Sequence, residues 1–251
     1  MPANYWIYLS PHPDDAVFSC GGLIWEQAAR GEQVEIWTIC AGDVPSGPLS
    51  PFARSLHERW QTGVQAASIR RDEDRAAARI LGAGIRHFDL PDCIYRSVPG
   101  SPEHKLYTRE EDLCGPLHPL EEELVHELAV QLEQDLSPGA QIVLPLALGN
   151  HVDHQLVRRA GQAIGRSGWY YPDFPYALQL GAIPRPEQEW QSVVWPVSDQ
   201  GLHAWQAATA TYHSQISTFW SDIGEVYEAI RVFARQQGGV TLWRRVSRTA
   251  N

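Results

Sequence analysis

Ser10-Pro11-His12-Pro13-Asp14-Asp15 packs an imidazole and two carboxylates into one short run. Neutral imidazole and carboxylate oxygen are the usual protein ligands of a catalytic zinc ion, and a carboxylate placed beside one can serve as a general base. A catalytic zinc site usually takes three protein ligands, so His12 with one of the two aspartates falls one short. The best donor for the remaining position lies far downstream in Gly149-Asn150-His151-Val152-Asp153-His154, where His154 would complete a His, Asp, His set. Adjacent residues at a strand exit point in different directions, so Asp14 and Asp15 need not do the same work. His151 can be read as a fourth ligand or as a cationic group that stabilises an oxyanion. Asp153 is close enough to accept a hydrogen bond from an imidazole and fix its tautomer. A histidine by itself is more often a packing or surface residue; here the two prolines, the two carboxylates and the distant His-x-Asp-His pattern argue for ligands.

The elements around these runs place them at a common edge. Tyr5 to Leu9 is aromatic and aliphatic enough for a buried strand, and Pro11 and Pro13 cannot donate ladder hydrogen bonds, so they force the chain out of the sheet. Val143 to Leu146 reads as a second buried strand that runs into the downstream cluster. Both clusters then leave neighbouring strand ends in one direction, the edge where open α/β sheets bind ligands. Between them, Ala16 to Arg30 reads as a helix stopped by Gly31, and Val34 to Ile39 as a strand; this alternation predicts a mostly parallel, Rossmann-like open sheet with helices on both faces. Gly21-Gly22 costs helix stability, which predicts close approach to the neighbouring strand or to the metal loop. Ala41 to Ala53 is a loop at the same edge and a candidate wall of the pocket. Leu56 to Leu81 is expected as a helix, Ile85 to Leu90 as a strand, and Pro91-Asp92 as another carboxylate at the edge. Cys93 to His118 lacks periodicity and forms a long excursion. Leu120, Leu124, Leu128 and Leu132, with Val125 and Ala129, predict one helix face, and Asp153 to Arg166 a further helix. Strands are expected at 169–171, 191–197 and 240–246, and helices at 202–215 and 223–235.

These residues carry a resemblance. His12-Pro13-Asp14-Asp15 after a strand, Gly21-Gly22, and His151-Val152-Asp153-His154 resemble the PIG-L (LmbE-like) family of zinc-dependent N-acetylglucosamine deacetylases. Arg70-Arg71-Asp72-Glu73 with Leu81-Gly82, Leu90-Pro91-Asp92, and Tyr212-His213-Ser214-Gln215 resemble its middle and C-terminal segments. Ala16 departs from the family, which very often has Glu there, and the resemblance thins from about Tyr170 to Leu202. It implies Zn²⁺, or another divalent metal, on His12, Asp15 and His154, with Asp14 as general base. It favours His151 as the oxyanion group over the fourth-ligand reading. It also implies Arg70 and Asp92 as residues holding sugar hydroxyls, although an exposed salt bridge would look the same in sequence, as would Arg71 in place of Arg70. The same scaffold resembles zinc hydratases of unsaturated dicarboxylic acids, a second reading. A third is a non-catalytic sugar- or metal-binding module, against which the retained Asp14 speaks.

The chain has 251 residues, 43% of them hydrophobic, which suits one domain spanning 1–251. A formal charge of -10 argues against nucleic acid and anionic membrane as partners, and the resemblance implies a small amino-sugar compound as substrate. A homo-oligomer stays open. Four cysteines without Cys-x-x-Cys spacing read as reduced thiols, with Cys20 and Cys40 in the core. With no basic leader or long apolar run after Met1, a cytoplasmic location is expected. Most of the ten tryptophans should be core, including Trp37 and Trp195 in strands, with Trp220 a candidate sugar platform.

Overall fold

In the computed structural model of the chain, residues 4–180 and 190–245 are described; Met1 and Val246, the first residue and the expected last strand residue, lie outside them. β1 (Tyr5–Ser10) is followed by α1 (Asp15–Ala29), β2 (Gln33–Thr38), α2 (Pro51–Trp60), α3 (Ala66–Leu81) and β3 (Gly84–His87). The excursion holds a 3₁₀ turn (Cys93–Tyr95), the hairpin β4 (Ser97–Val98) and β5 (Ser101–Lys105), and the short α4 (Glu110–Leu113). A 3₁₀ turn (Pro119–Glu121) leads into α5 (Glu122–Asp135), then β6 (Gln141–Pro145), α6 (Val152–Ala163), β7 (Gly168–Tyr171) and α7 (Tyr176–Gln179). β8 (Trp190–Trp195), α8 (Asp199–Thr209), α9 (His213–Phe219), α10 (Ile223–Gln237) and β9 (Val240–Arg245) complete the order.

One seven-stranded sheet runs β3-β2-β1-β6-β7-β9-β8. Its first five strands are parallel, and β9 and β8 add antiparallel at the far side. Side chains of β1 alternate between two cores: Ile7 and Leu9 pack with α5 and α6 residues such as Leu132 and Leu156, whereas Trp6 and Tyr8 pack with Leu23, Ala77, Trp205 and Ile230 of α1, α3, α8 and α10. Burial on both faces explains why the parallel strands read as continuous apolar runs and not as alternating ones. The expected fold class is the one observed.

Several local expectations give way to tertiary structure. The helix predicted over 56–81 is two helices, because Gln61 (φ 55°) and Gly63 (φ 53°) both turn left-handed between α2 and α3. The helix predicted over 202–215 breaks after Thr209, where Tyr212 turns inward to donate to Asp74 Oδ1 at 2.6 Å and Ser214 donates to Glu73 Oε2 at 2.6 Å. Leu120 lies in the 3₁₀ turn before α5 and is 49% exposed, so the apolar face starts later. Gly21-Gly22 makes room for a helix, not for a strand or the metal loop: a Cβ on Gly21 would lie 2.5 Å from Trp205 Cδ1 and one on Gly22 would lie 2.8 Å from Trp205 Cε3. Trp205 is fully buried and donates its indole N–H to Phe18 O at 3.1 Å. Deleting a buried aromatic of this size typically costs about 3–5 kcal/mol, so this contact is a main tie between α1 and α8.

Candidate active site and metal centre

The first cluster leaves β1 in a tight, tied turn. Ser10 Oγ donates to His12 O at 2.6 Å and accepts from Ala16 N at 3.0 Å, which fastens the turn to the start of α1. Asp14 stands immediately before α1 with φ 130°, a strained backbone for a residue with a side chain, and its carboxyl makes no capping bond. That carboxyl lines the cavity at the sheet edge instead. The second cluster leaves β6, the strand beside β1, through left-handed Ala147, Gly149 and Asn150. His151 is the N-cap of α6, and its Nδ1 accepts from Asp153 N at 3.2 Å.

Three donor atoms converge where the clusters meet. His12 Nδ1 and His154 Nε2 each lie 3.3 Å from Asp15 Oδ2. Ligands about 2.0–2.1 Å from a tetrahedral ion stand about 3.3–3.4 Å from one another, and each imidazole's separation from Asp15 Oδ2 matches that spacing. The other nitrogen of each imidazole is fixed by a carboxylate: His12 Nε2 by Asp153 Oδ2 at 2.9 Å, and His154 Nδ1 by Asp173 Oδ1 at 2.7 Å. With their protons on those far nitrogens, the neutral imidazoles would turn lone pairs toward Asp15. His151 differs. Because its Nδ1 accepts a backbone N–H, its proton sits on Nε2, which therefore offers a donor and no lone pair.

The electrostatics ask for a cation. Burial opposes charge on His12, yet hydrogen bonds to Asp15 and Asp153 and the Asp92 charge outweigh it and raise its pKa to about 10. Burial likewise opposes charge on His154, and Asp15 and Asp173 again win and push it up. A divalent ion would meet the same demand with both imidazoles neutral. His151 moves the other way: burial first, then the His12 and His154 charges, press it down to about 3, which favours its neutral form. Asp14 is pushed up by burial and by the Asp15 charge, against Arg70 and His12, which suits a group that must take a proton.

Arg70 and Asp92 also face this cavity, which measures about 330 Å³ and has the size of a small-molecule site. Arg70 Nη1 donates to Asp92 Oδ2 at 3.3 Å and Nη2 lies 3.7 Å from Asp14 Oδ2; all three side chains are buried, so this is no exposed surface pair. Arg71 turns away to Ala41 O and Asp43, so Arg70 is the one of the pair that faces the cavity. α2 supplies the wall expected from the 41–53 loop, through Leu56, Arg59 and Trp60. Trp60 is the indole at the cavity, whereas Trp220 packs against Phe18, Phe174 and Phe219.

Sequence reasoning missed two residues that stand behind the histidines, one directly and one through Asp153. Asp173 follows β7 in Pro172-Asp173, and Pro-Asp also follows strands at 13–14 and 91–92, so a recurring signal was present. Arg96 had no such signal. It lies in the excursion, where its Nη1 donates to Asp153 Oδ1 and its Nε donates to Glu121 Oε1 at 2.5 Å. Asp153, fully buried, is held well below the usual carboxylate range because Arg96 and His12 outweigh burial. Donor atoms of His12, His151 and His154 lie within 4.8 Å of one another, as do those of His12, Cys40 and Asp153. The second trio is already committed, since Asp153 is taken up by Arg96 and His12.

This site has known relatives. The 2'-N-acetylparomamine deacetylase of Niallia circulans is 30% identical over 192 residues, covering 69% of this chain and 68% of that protein. The 4-oxalmesaconate hydratase of Pseudomonas putida is 27% identical over 157 residues, covering 57% of this chain and 58% of that protein. Among solved structures, the zinc-inhibited form of teicoplanin deacetylase Orf2 matches with a TM-score of 0.84 at 26% identity, over 98% of this chain and 100% of that one. A family model described as PIG-L, GlcNAc-PI de-N-acetylase, matches residues 7–164, more than half of the sequence, and the chain belongs to that family.

Proposed function

We propose that the chain, as one domain over 1–251, is a zinc-dependent N-deacetylase that removes acetyl from an N-acetylglucosaminyl compound, releasing acetate and a free amino sugar. The observation that carries this reading is the approach of His12 Nδ1 and His154 Nε2 to Asp15 Oδ2 beside a buried, raised-pKa carboxyl at Asp14. His12, Asp15 and His154 would hold the ion; when bound, it would lower the pKa of a water and polarise the acetamide carbonyl. Asp14 accepts a proton from the attacking water and returns it to the leaving amine nitrogen, so water is consumed and the amide C–N bond breaks. His151 donates Nε2–H to the oxygen that gains charge, and Asp153 keeps His12 in the right tautomer. Arg70 and Asp92 hold sugar hydroxyls along the cavity wall. The four cysteines are free, which accords with a reducing, cytoplasmic setting. Among the described residues no helix is long and apolar enough to cross a membrane.

A dicarboxylate substrate would need guanidinium groups free to pair with it. Arg70 is engaged by Asp14 and Asp92, and Arg59 by Glu110 at 3.4 Å, which favours the sugar over the hydratase reading. The test is to incubate zinc-loaded protein with N-acetylglucosaminides and with unsaturated dicarboxylates, following free amine and loss of alkene absorbance separately. Amine release is expected; alkene loss without amine release would overturn the deacetylase reading.

Replacing His151 tests the oxyanion role. Asparagine keeps an N-cap acceptor for α6 but has no donor at the Nε2 position. His151→Asn is expected to retain metal and slow turnover by about 10²-fold. Loss of metal in elemental analysis would make His151 a ligand instead.

A further inference from the structure

We infer that Arg96 is a positioning residue for the metal centre: clamped by Glu121, its guanidinium holds Asp153 so that His12 presents Nδ1 to the site. The inference rests on the reading of His12 as a ligand and adds a part of the chain to which that reading gives no role.

The linkage is continuous and buried. Asp153 divides its two oxygens: Oδ2 accepts from Cys93 N at 3.0 Å and bonds His12 Nε2 at 2.9 Å, whereas Oδ1 accepts from Arg96 Nη1. Arg96 is 7% exposed, and its Nε and Nη2 fork onto Glu121 at 2.5 and 3.3 Å. Glu121 is fixed in turn by the Tyr107 hydroxyl at 2.5 Å, whose oxygen accepts from His118 N at 3.0 Å. The excursion and the turn before α5 thus reach the metal centre through one connected set of buried contacts. Only a guanidinium can give one carboxylate a two-point grip and keep a third N–H for another; an ammonium is a point charge without that direction. Without Arg96, Oδ1 is an unpaired buried acceptor, and Asp153 is held at Oδ2 alone, which loosens its grip on His12.

The plainer alternative is that Arg96 only fastens the excursion to α6. The two roles separate in metal affinity. Full-length protein is stripped of metal and titrated with Zn²⁺ against a chromogenic chelator, with thermal unfolding of the metal-free protein in parallel. Arg96→Lys is expected to weaken Zn²⁺ binding by about 10–100-fold, the range for losing an outer partner of a ligating histidine. Asp153→Asn should do the same, and the double variant should lose little more than either, because both act through one contact. A lowered unfolding temperature with Zn²⁺ affinity unchanged would overturn the inference, as would losses that add in the double variant. Should Arg96→Lys fail to fold, Glu121→Gln loosens the same clamp at constant size and is expected to lose affinity in the same direction; unchanged affinity there would overturn the inference as well. His12→Ala in the same titration isolates the underlying reading: unchanged Zn²⁺ affinity in that variant removes His12 from the ligand set, whatever Arg96→Lys does.

Discussion

Asp14→Asn is expected to lower kcat and kcat/KM together by about 10² to 10⁴-fold, with KM nearly unmoved. Asparagine matches aspartate in shape and is among the residues that best tolerate positive φ, so the strained turn at φ 130° should survive. It cannot accept a proton. Asp14 makes no capping hydrogen bond, and Arg70 keeps Asp92 as its partner, so the change removes proton transfer and one charge contact to Arg70. The pH profile gives a second reading of the same group. Burial and the Asp15 charge raise the pKa of Asp14, so wild-type activity should fall as pH drops through that raised value, because the base is then already protonated. In the variant that acid limb should flatten. Near-normal kcat in Asp14→Asn would place the base elsewhere, and loss of zinc would mean that Asp14 and Asp15 exchange roles.

What the sequence made legible is whatever is written in short range. Strand, proline and carboxylate in succession mark the end of β1 and of β3, and the His-x-Asp-His run marks the end of β6, so the polar residues that meet at the cavity could be named and their common edge predicted. The parallel half of the sheet followed from apolar runs alternating with helices. The rest depends on partners distant in sequence. Gly21 and Gly22 look like a backbone contact until Trp205 is seen lying over them. Tyr212 ends a helix only because Asp74 is there to receive its hydroxyl. Arg96 has no periodicity or motif around it, and its meaning comes from Asp153, 57 residues on. The lowered pKa of His151 was unreadable for the same reason, since it comes from burial in the folded site and then from the two imidazoles packed against it.

Removing a ligand should have the larger effect on the metal itself. His12→Ala, Asp15→Ala and His154→Ala are each expected to leave the protein with less than one equivalent of metal and with amide hydrolysis near background. The magnitude can be bounded from the outer partners. Losing a group that only orients a ligating histidine costs about 10–100-fold in affinity, so Asp173→Asn, which disturbs His154 through its Nδ1 bond, should fall in that range. Removing a donor atom outright must cost more. Asp15 is the most exposed to this reasoning, because His12 Nδ1 and His154 Nε2 both face its Oδ2 and because its charge holds up the pKa of both imidazoles. In Asp15→Ala the two lone pairs face each other without the anion that balances a cation between them. The ordering to be measured, by elemental analysis and chelator competition, is therefore wild type, then Asp173→Asn, then the three ligand variants. Asp15→Ala also removes the acceptor for His12 N at 2.8 Å, so Asp15→Asn should accompany it to separate a disordered turn from a lost ligand. Full metal content in all three alanine variants would dissolve the proposed centre, and a loss in Asp173→Asn larger than in His154→Ala would move the ligand role away from His154.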